Sequence, residues 1–204
     1  VDAQSHIDGY FFLEESLSPA LLDAMQKVCP ITPNQDGAET PAYVYSHYFL
    51  GRRATALARI DLLNKLSQNF DVTVYTHADC KDILPTAIYG GKIDYYDTMP
   101  TVFQHSKLNL NITLKTIQTG IPLRAWDILG CGGFLLTNFQ QELCDFFIPG
   151  EDFVYYESPA DAIEKAAYFL SHDRERQEIT HNAFEKIAAS HTFHHRVQSM
   201  FEII

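Results

Sequence analysis

Arg52 and Arg53 are the first residues of the sequence whose types and spacing indicate chemistry. They follow Gly51 in the stretch FLGRRA, where a predicted strand passes into a predicted helix. A glycine lets a ligand approach the backbone, the first amides of a helix are free, and guanidinium groups pair with phosphate through two hydrogen bonds. The pattern is that of a phosphate contact, although a solvated helix start would have the same composition.

A second candidate anion site lies in the stretch TGIPLRAWD. Pro122 is favoured in the first turn of a helix, so free helix amides could hold an anion against Gly120 and Ile121. Arg124 and Asp127 are three residues apart and would share a face of this helix. The arginine could neutralise a phosphate, and the carboxylate could accept hydrogen bonds from ribose hydroxyls. The alternative is an ordinary surface ion pair between these two side chains.

Three glycines, Gly130, Gly132 and Gly133, surround Cys131 directly after this helix. Glycine-rich segments often hold phosphates, but a dinucleotide fingerprint or a P-loop places a strand before its glycines and a helix after them. Here the helix comes first and a predicted strand follows. We therefore predict a helix C-cap and a tight reversal into the sheet, not a phosphate cradle.

Aromatic residues suggest a place for a nucleotide base. Tyr95 and Tyr96 end the third predicted strand, and Met99 follows shortly after. Their side chains could stack on a base, although aromatic residues at such positions are as often simple packing.

Three histidines close together in HTFHHR, namely His191, His194 and His195, have a spacing that can share a metal ion. No matching Asp, Glu or Cys motif accompanies them, so no metal site is predicted. No Ser-His-Asp order, H-E-x-x-H motif or pair of catalytic carboxylates stands out either. No catalytic residue is therefore assigned, and chemistry would rest on donor positioning or on groups outside the chain.

Composition limits the class of protein. The chain has 204 residues, of which 46% are hydrophobic and 20% charged, as in one globular domain with a sizeable core. The net charge of −11 opposes a nucleic-acid partner, so an anionic ligand needs a local site. The apolar runs are too short for a membrane helix, and the start of the sequence lacks the features of a signal peptide. These observations predict a cytoplasmic protein with no transmembrane segment. Four cysteines without a C-x-x-C pair are expected to be buried thiols.

Strand and helix patterns alternate along most of the chain. Such alternation predicts an α/β fold, a Rossmann-like doubly wound parallel sheet of about six strands with helices on both faces. Helix starts are indicated at Ser18-Pro19, after Gly51, at Pro122, at Ser158-Pro159, near Asp173 and after Thr192. The predicted strands are 42–50, 71–77, 92–96, 107–112, 133–138 and 152–156.

The domain organisation follows from a turn-rich segment. PITPNQDGAETPA contains three of the nine prolines and predicts a boundary near residue 40. Residues 1–40 would form a helical arm and linker, and residues 41–204 the Rossmann-like domain. The chain begins with Val, which suggests that it is a domain cut from a longer protein.

The order of these stretches resembles the CgeB-like, or spore maturation protein-like, branch of the group 1 glycosyltransferases over about residues 42–200. The resemblance rests on FLGRR, DVTVYTH, YYDTMPTVFQHSKLNLNITL, the long segment from GIPLRAWD to AAYFL, and HTFHHR. Members of that superfamily have the GT-B architecture, in which two Rossmann-like domains face each other across a cleft. The C-terminal domain binds the nucleotide-diphosphate sugar donor. The resemblance thus implies a donor-binding half that is inactive without an N-terminal domain.

The same resemblance implies roles for single residues. Arg52 and Arg53 would contact the donor phosphates, and the backbone of residues 120–122 would approach the diphosphate. Asp127 matches the second acid of the family's E-x7-E motif, which holds the ribose. The first acid of that motif falls at Thr119, which is not acidic.

Three functions remain open at this point. The first is metal-independent and retaining transfer of a glycosyl group from a nucleotide sugar to an unknown acceptor, with no cofactor. The second is a non-catalytic sugar-nucleotide or spore-surface binding module that has lost activity, which Thr119 favours. The third is another parallel α/β domain such as a receiver, although the end of the first predicted strand has no acidic cluster.

Overall fold

A computed structural model describes residues 17–32, 37, 39–117 and 119–202, in two compact units. Among the described residues, the first unit comprises those up to residue 62 and residues 114–117, and the second comprises residues 63–113 and 119–202. Much of the predicted arm, with the YFFLEE stretch, lies outside the described residues. The first unit includes residues on both sides of position 40, and the predicted domain organisation stays a prediction.

The first unit is helical. Helix α1 (Pro19–Val28) begins as predicted, because the Ser18 hydroxyl accepts a hydrogen bond from the Leu21 amide at 3.2 Å and Pro19 fills the first turn. Further along, α2 (Pro41–Tyr43), a π-helical segment (Val44–Gly51) and α3 (Arg52–Ser67) follow one another without a break, although residues 63–67 of α3 belong to the second unit. The buried Tyr45 ties this helical run to α1, because its hydroxyl lies 2.6 Å from Gln26 Oε1.

The prediction of a strand over 42–50 is wrong. The Thr40 hydroxyl caps the helical run by accepting a hydrogen bond from the Tyr43 amide at 3.1 Å, and Pro41 fills its first turn. Tyr43 stacks on His47 four residues later, with ring centroids 4.1 Å apart. Capping and i, i+4 contacts thus outweigh the β-propensity of the aromatic residues.

The described part of the second unit contains five short strands, all paired in parallel. The first two form one sheet, and the other three form a second sheet in the order β3-β4-β5. The predicted α/β class with parallel strands is therefore confirmed, whereas the described residues do not show one sheet of about six strands. Four predicted strands are confirmed with shorter bounds. The strands are β1 (Thr73–Tyr75), β2 (Ile88–Gly91), β3 (Asn109–Asn111), β4 (Leu135–Asn138) and β5 (Val154–Tyr156).

The third predicted strand, 92–96, is also misplaced, because β2 ends at Gly91. A Cβ on Gly90 would lie 2.6 Å from Cε1 of Tyr75 on β1, so the Tyr75 ring packs over the glycine and would have to move for a larger residue. The glycines that the pattern places before the strand therefore lie inside it, and Tyr95 and Tyr96 lie in the following turn.

Helices of the second unit begin close to the predicted positions. The Ser158 hydroxyl caps one of them by accepting a hydrogen bond from the Asp161 amide at 3.2 Å. None of the described helices is both long and apolar enough to span a membrane. The helices are α4 (Met99–His105), α5 (Leu123–Gly130), α6 (Pro159–Ser171), α7 (Asp173–Ser190) and α8 (Phe193–Glu202).

The core of the second unit forms around α5, which contacts α4, α7, β3 and β4. Its buried side chains are joined by residues of β4, α7 and the segment around the 3₁₀ turn Gln141–Asp145. Burial of this cluster removes apolar surface from water and fixes α5 on the sheet. The cluster consists of Ala125, Ile128, Leu129, Leu135, Leu143, Phe147, Phe153, Ala183 and Ile187.

The glycines after α5 form the predicted reversal. The Cys131 amide donates to the Asp127 carbonyl at 2.9 Å, and the Gly133 amide donates to the Ile128 carbonyl at 2.8 Å. Gly132 has a φ of +69°, a left-handed conformation that favours glycine. The interpretation of this segment as a C-cap is confirmed.

The four cysteines have free thiols, but the prediction that they are buried is wrong. Cys29 is exposed because it stands just past the end of α1, and the other three are half-buried.

Candidate functional site

Asp127 and Tyr95, two of the predicted site residues, are in direct contact. The Tyr95 hydroxyl donates a hydrogen bond to Asp127 Oδ2 at 2.7 Å. Asp127 is half-buried, and α5 presents it one turn after its first residue. This hydrogen bond to the carboxylate raises the pKa of Tyr95, so the phenol stays protonated and remains a donor at neutral pH.

A tight turn positions Tyr95. Asp94 Oδ1 accepts hydrogen bonds from the amides of Tyr96 and Asp97, both at 2.8 Å, and these bonds lower the pKa of Asp94. The Met99 amide donates to the Asp94 carbonyl at 2.9 Å, which joins the turn to the start of α4. Tyr95 and Tyr96 meet edge to face, with centroids 5.0 Å apart, and both rings are exposed. The candidate base contacts therefore flank the candidate ribose acid.

Arg124 and Asp127, which the structure both describes, do not form a salt bridge with each other. Arg124 is exposed on the first turn of α5, and Asp127 is engaged by Tyr95 instead. The surface ion pair considered as an alternative is thus not formed.

In the segment before α5, a backbone amide donates a hydrogen bond to a carboxylate of the chain itself. Gly120 is exposed with a φ of +97°, and its amide donates a hydrogen bond to the carboxylate of Glu142. Ile121 packs against the core cluster, and Pro122 precedes α5, whose start has no side-chain cap. Exposed Thr119 comes directly before Gly120. A carboxylate of the chain itself therefore accepts the Gly120 amide hydrogen bond, and binding of a ligand anion at residues 120–122 stays a prediction.

Glu142 is a residue that the sequence analysis missed. It lies in the 3₁₀ turn Gln141–Asp145, four residues after the end of β4. An acid soon after the carboxyl end of a predicted central strand is the signal that could have identified it, because ligands of parallel sheets bind at that edge.

Polar side chains fix the carboxyl ends of β3 and β4. Asn111 Nδ2 donates to the hydroxyls of Thr113 (3.1 Å) and Thr137 (3.0 Å), and Asn138 Oδ1 accepts from the Thr113 amide at 2.8 Å. Asn111, Thr113 and Thr137 are buried. A buried network in which these partners are satisfied gives the sheet edge below the site one defined arrangement.

Arg52 and Arg53 belong to the other unit, where both are exposed. The Arg52 guanidinium lies 4.8 Å from the centroid of the Tyr48 ring. The interpretation of this segment as a loop with free helix-start amides is wrong, because the chain is helical without a break from Pro41 to Ser67. Phosphate contact by these two side chains stays a prediction.

Gly51 has a packing role. Its position is buried, and a Cβ there would lie 2.0 Å from Cγ2 of Thr116. The Thr55 hydroxyl donates to the Gly51 carbonyl at 2.8 Å and accepts from the Lys115 amide at 3.0 Å. The absence of a side chain at Gly51 therefore leaves room for residues 115–116 of the chain itself. The sequence pattern suggested that a ligand would approach the backbone here.

The histidines near the C-terminus pack against aromatic rings or bond locally. The His191 ring lies 5.3 Å from that of Trp126, and His191 Nδ1 is 2.9 Å from Arg196 Nη2. Burial, with Arg196 and His195 nearby, lowers the pKa of His191. Within the described residues, no three His, Cys, Asp or Glu side chains are grouped so that they could hold a metal ion.

Comparison with known proteins assigns the sequence to a family. A family model described as "Glycosyl transferase-like" matches residues 53–202, which is most of the chain and includes the Tyr95–Asp127 contact. No curated protein matches the sequence. The chain therefore belongs to the glycosyl transferase-like family.

Proposed function

We propose that this chain is the donor-binding half of a glycosyltransferase of the CgeB-like branch, with a nucleoside-diphosphate sugar as its donor. Transfer would be retaining and metal-independent, to an acceptor held with the help of an N-terminal domain. The protein would act in the cytoplasm. The family supports glycosyl transfer, and the geometry around Asp127 supports the choice of donor.

The hydrogen bond from Tyr95 to Asp127 carries this proposal. A carboxylate that accepts one hydroxyl hydrogen bond at 2.7 Å is also suited to the vicinal hydroxyls of a ribose. Two exposed tyrosine rings adjoin it and offer faces for a base. Asp127 is the acid for the ribose in this proposal, and Tyr95 and Tyr96 with Met99 are the base contacts.

The diphosphate would lie against residues 119–122. In the free protein the Glu142 carboxylate accepts the Gly120 amide hydrogen bond, so an anionic oxygen fits there. A phosphate oxygen of the donor would replace that carboxylate, and the uncapped start of α5 would add its amides. Arg124, with Arg52 and Arg53 as further candidates, would balance the charge that develops on the leaving diphosphate.

Thr119 supports a second function, a sugar-nucleotide or spore-surface binding module without transferase activity. A threonine has no negative charge at the position of the family's first acid, so stabilisation of a sugar cation there would be weak. Such a module would bind the same nucleotides and would fail to transfer sugar even when an N-terminal domain is supplied.

A thermal-shift panel tests the proposal. UDP, GDP, dTDP and CMP, each with and without its sugar, would be added to the chain with Mg²⁺ or with EDTA. We expect at least one diphosphate to raise the melting temperature equally in both buffers, since ligand at about 100 times Kd stabilises by roughly 2.7 kcal/mol. No response to any nucleotide, or a response only with Mg²⁺, would contradict it.

A further inference from the structure

A cavity of about 400 Å³ lies in the second unit, apart from the candidate donor site. The last turn of α4, the residues that lead into β3 and β4, and residues 176–184 of α7 form its walls. The volume is within the range of small-molecule sites in proteins. The cavity therefore has room for a ligand the size of one substituted sugar ring.

The cavity lies at the opposite edge of the sheet from the proposed donor site. Lys107 lies two residues before the start of β3, and Phe134 directly precedes β4. Because these strands are parallel, their amino ends share one edge, whereas Glu142 and Gly120 follow the carboxyl ends. A ligand here would not compete with the donor for space.

The charge of the cavity contrasts with that of the chain. None of its lining residues is acidic, whereas the net charge of the protein is −11. Arg176 is 8% exposed and held in place, with Nη2 at 2.7 Å from Asp173 and Nη1 at 2.5 Å from the Phe169 carbonyl. Exposed Lys107 forms no salt bridge with a described residue, but its charge, together with that of Arg176, lowers the pKa of the nearby Asp173 carboxylate. The ammonium group of Lys107 can therefore contact an anion beside the Asp173–Arg176 ion pair.

The remaining walls suit a hydroxyl-rich ring. Gln104 and Gln177 offer amide donors and acceptors, and the Thr180 hydroxyl, which donates to the Arg176 carbonyl at 2.9 Å, can still accept. The Phe184 ring is partly exposed and offers an apolar face. Planar amides, a hydroxyl and an aromatic face complement sugar hydroxyls and the C–H face of a pyranose.

We propose that this cavity binds an anionic monosaccharide, with Lys107 contacting the anionic group and Gln177 and Phe184 contacting the ring. The anionic group is a phosphate or a carboxylate, since both accept hydrogen bonds from an ammonium group. This second site is separate from the proposed donor site and does not depend on it.

Calorimetric titration of the full chain tests this site with four probes: glucose 6-phosphate, glucuronate, glucose and inorganic phosphate. We expect glucose 6-phosphate or glucuronate to bind at least about tenfold more tightly than glucose and inorganic phosphate, because both the charge and the ring contribute. Lys107→Met should weaken binding of the anionic sugar by about tenfold, and Gln177→Ala should weaken it less. Lys81→Met, at an exposed lysine elsewhere, should leave it unchanged.

Four results would overturn the proposal. The first is that neither anionic sugar binds, and the second is that glucose or inorganic phosphate binds as tightly as the anionic sugar. The third is that Lys107→Met does not weaken binding of the anionic sugar, and the fourth is that Asp127→Ala abolishes it. The last result would place the sugar in the donor site. Retained binding in Asp127→Ala, together with loss in Lys107→Met, supports the second site even if no nucleotide binds the chain.

Discussion

The two sheets of the second unit differ in burial, and each supports one half of the candidate site. In β3, β4 and β5 most residues are buried, and α5, which carries Asp127, is held against β3 and β4 by the core cluster. In β1 and β2 no residue is fully buried, and Tyr95 lies in the turn that follows β2. The difference suggests a fixed acid for the ribose and a base-contacting turn whose residues contribute little to stability.

Matched isoleucine truncations test this difference, with the largest expected effect. Ile128 on α5 is 0% exposed, whereas Ile88 on β2 is 52% exposed. Ile128→Ala should lower the free energy of unfolding by about 3 kcal/mol, because it removes apolar contacts and leaves a cavity. Ile88→Ala should lower it by less than about 1 kcal/mol. Urea denaturation measures both, and equal losses would show that the two regions are equally packed.

Two lysine–aspartate pairs give a second, smaller contrast. Asp152, just before β5, is 1% exposed and accepts hydrogen bonds from the Ile148 amide at 2.6 Å and from Lys186 of α7. Its Oδ1 has no hydrogen-bond partner among the described residues. Lys186→Met would leave a buried carboxylate without its counter-charge, and we expect a loss of about 2 kcal/mol.

The control pair lies between β1 and β2. Lys81 and Asp79 are 3.7 Å apart and both exposed, so Lys81→Met should change the free energy of unfolding by less than about 0.5 kcal/mol. The double variant Asp152→Asn/Lys186→Met should recover part of the stability lost in Lys186→Met, because the buried charge is gone. If Lys81→Met and Lys186→Met lowered the free energy of unfolding by the same amount, the larger stabilisation expected from the buried Asp152–Lys186 pair would be contradicted.

The smallest expected effect is a pH dependence from His191. Burial lowers the pKa of His191 in the folded state below its ordinary value of about 6.5 in the unfolded chain. As the pH falls below about 6.5, the unfolded chain takes up a proton that the folded state resists, so the free energy of unfolding falls. His191→Gln should flatten this fall. An identical pH profile in His191→Gln and the unchanged protein would contradict this role.

Local capping signals allowed much of the fold to be predicted from the sequence. Ser18-Pro19 and Ser158-Pro159 begin helices as expected. Thr40-Pro41 is the same signal, and it outweighs the strand-like composition of residues 42–50. The order of helix, glycines and strand after α5 also predicted the reversal at Gly132.

The parts that could not be predicted depend on contacts between distant residues. The Tyr75 ring on β1 packs over Gly90 of β2, and Gly51 packs against Thr116, and neither contact can be read from the spacing of the residues. In the site, residue types identified Asp127 and Tyr95 separately, but their contact requires the fold to bring positions 95 and 127 together. Glu142 reaches the Gly120 amide for the same reason.

Calorimetric titration of nucleotide into the unchanged chain and Asp127→Ala tests the donor site most directly. With UDP, GDP or dTDP, whichever binds the unchanged chain, we expect Asp127→Ala to weaken the affinity by about tenfold or more, because a charge-assisted hydrogen bond to the ribose is lost. Asp145→Ala, at an exposed acid that follows Glu142, should bind as tightly as the unchanged chain. Equal affinities for the unchanged chain and for a folded Asp127→Ala variant would contradict the assignment of Asp127 to the donor.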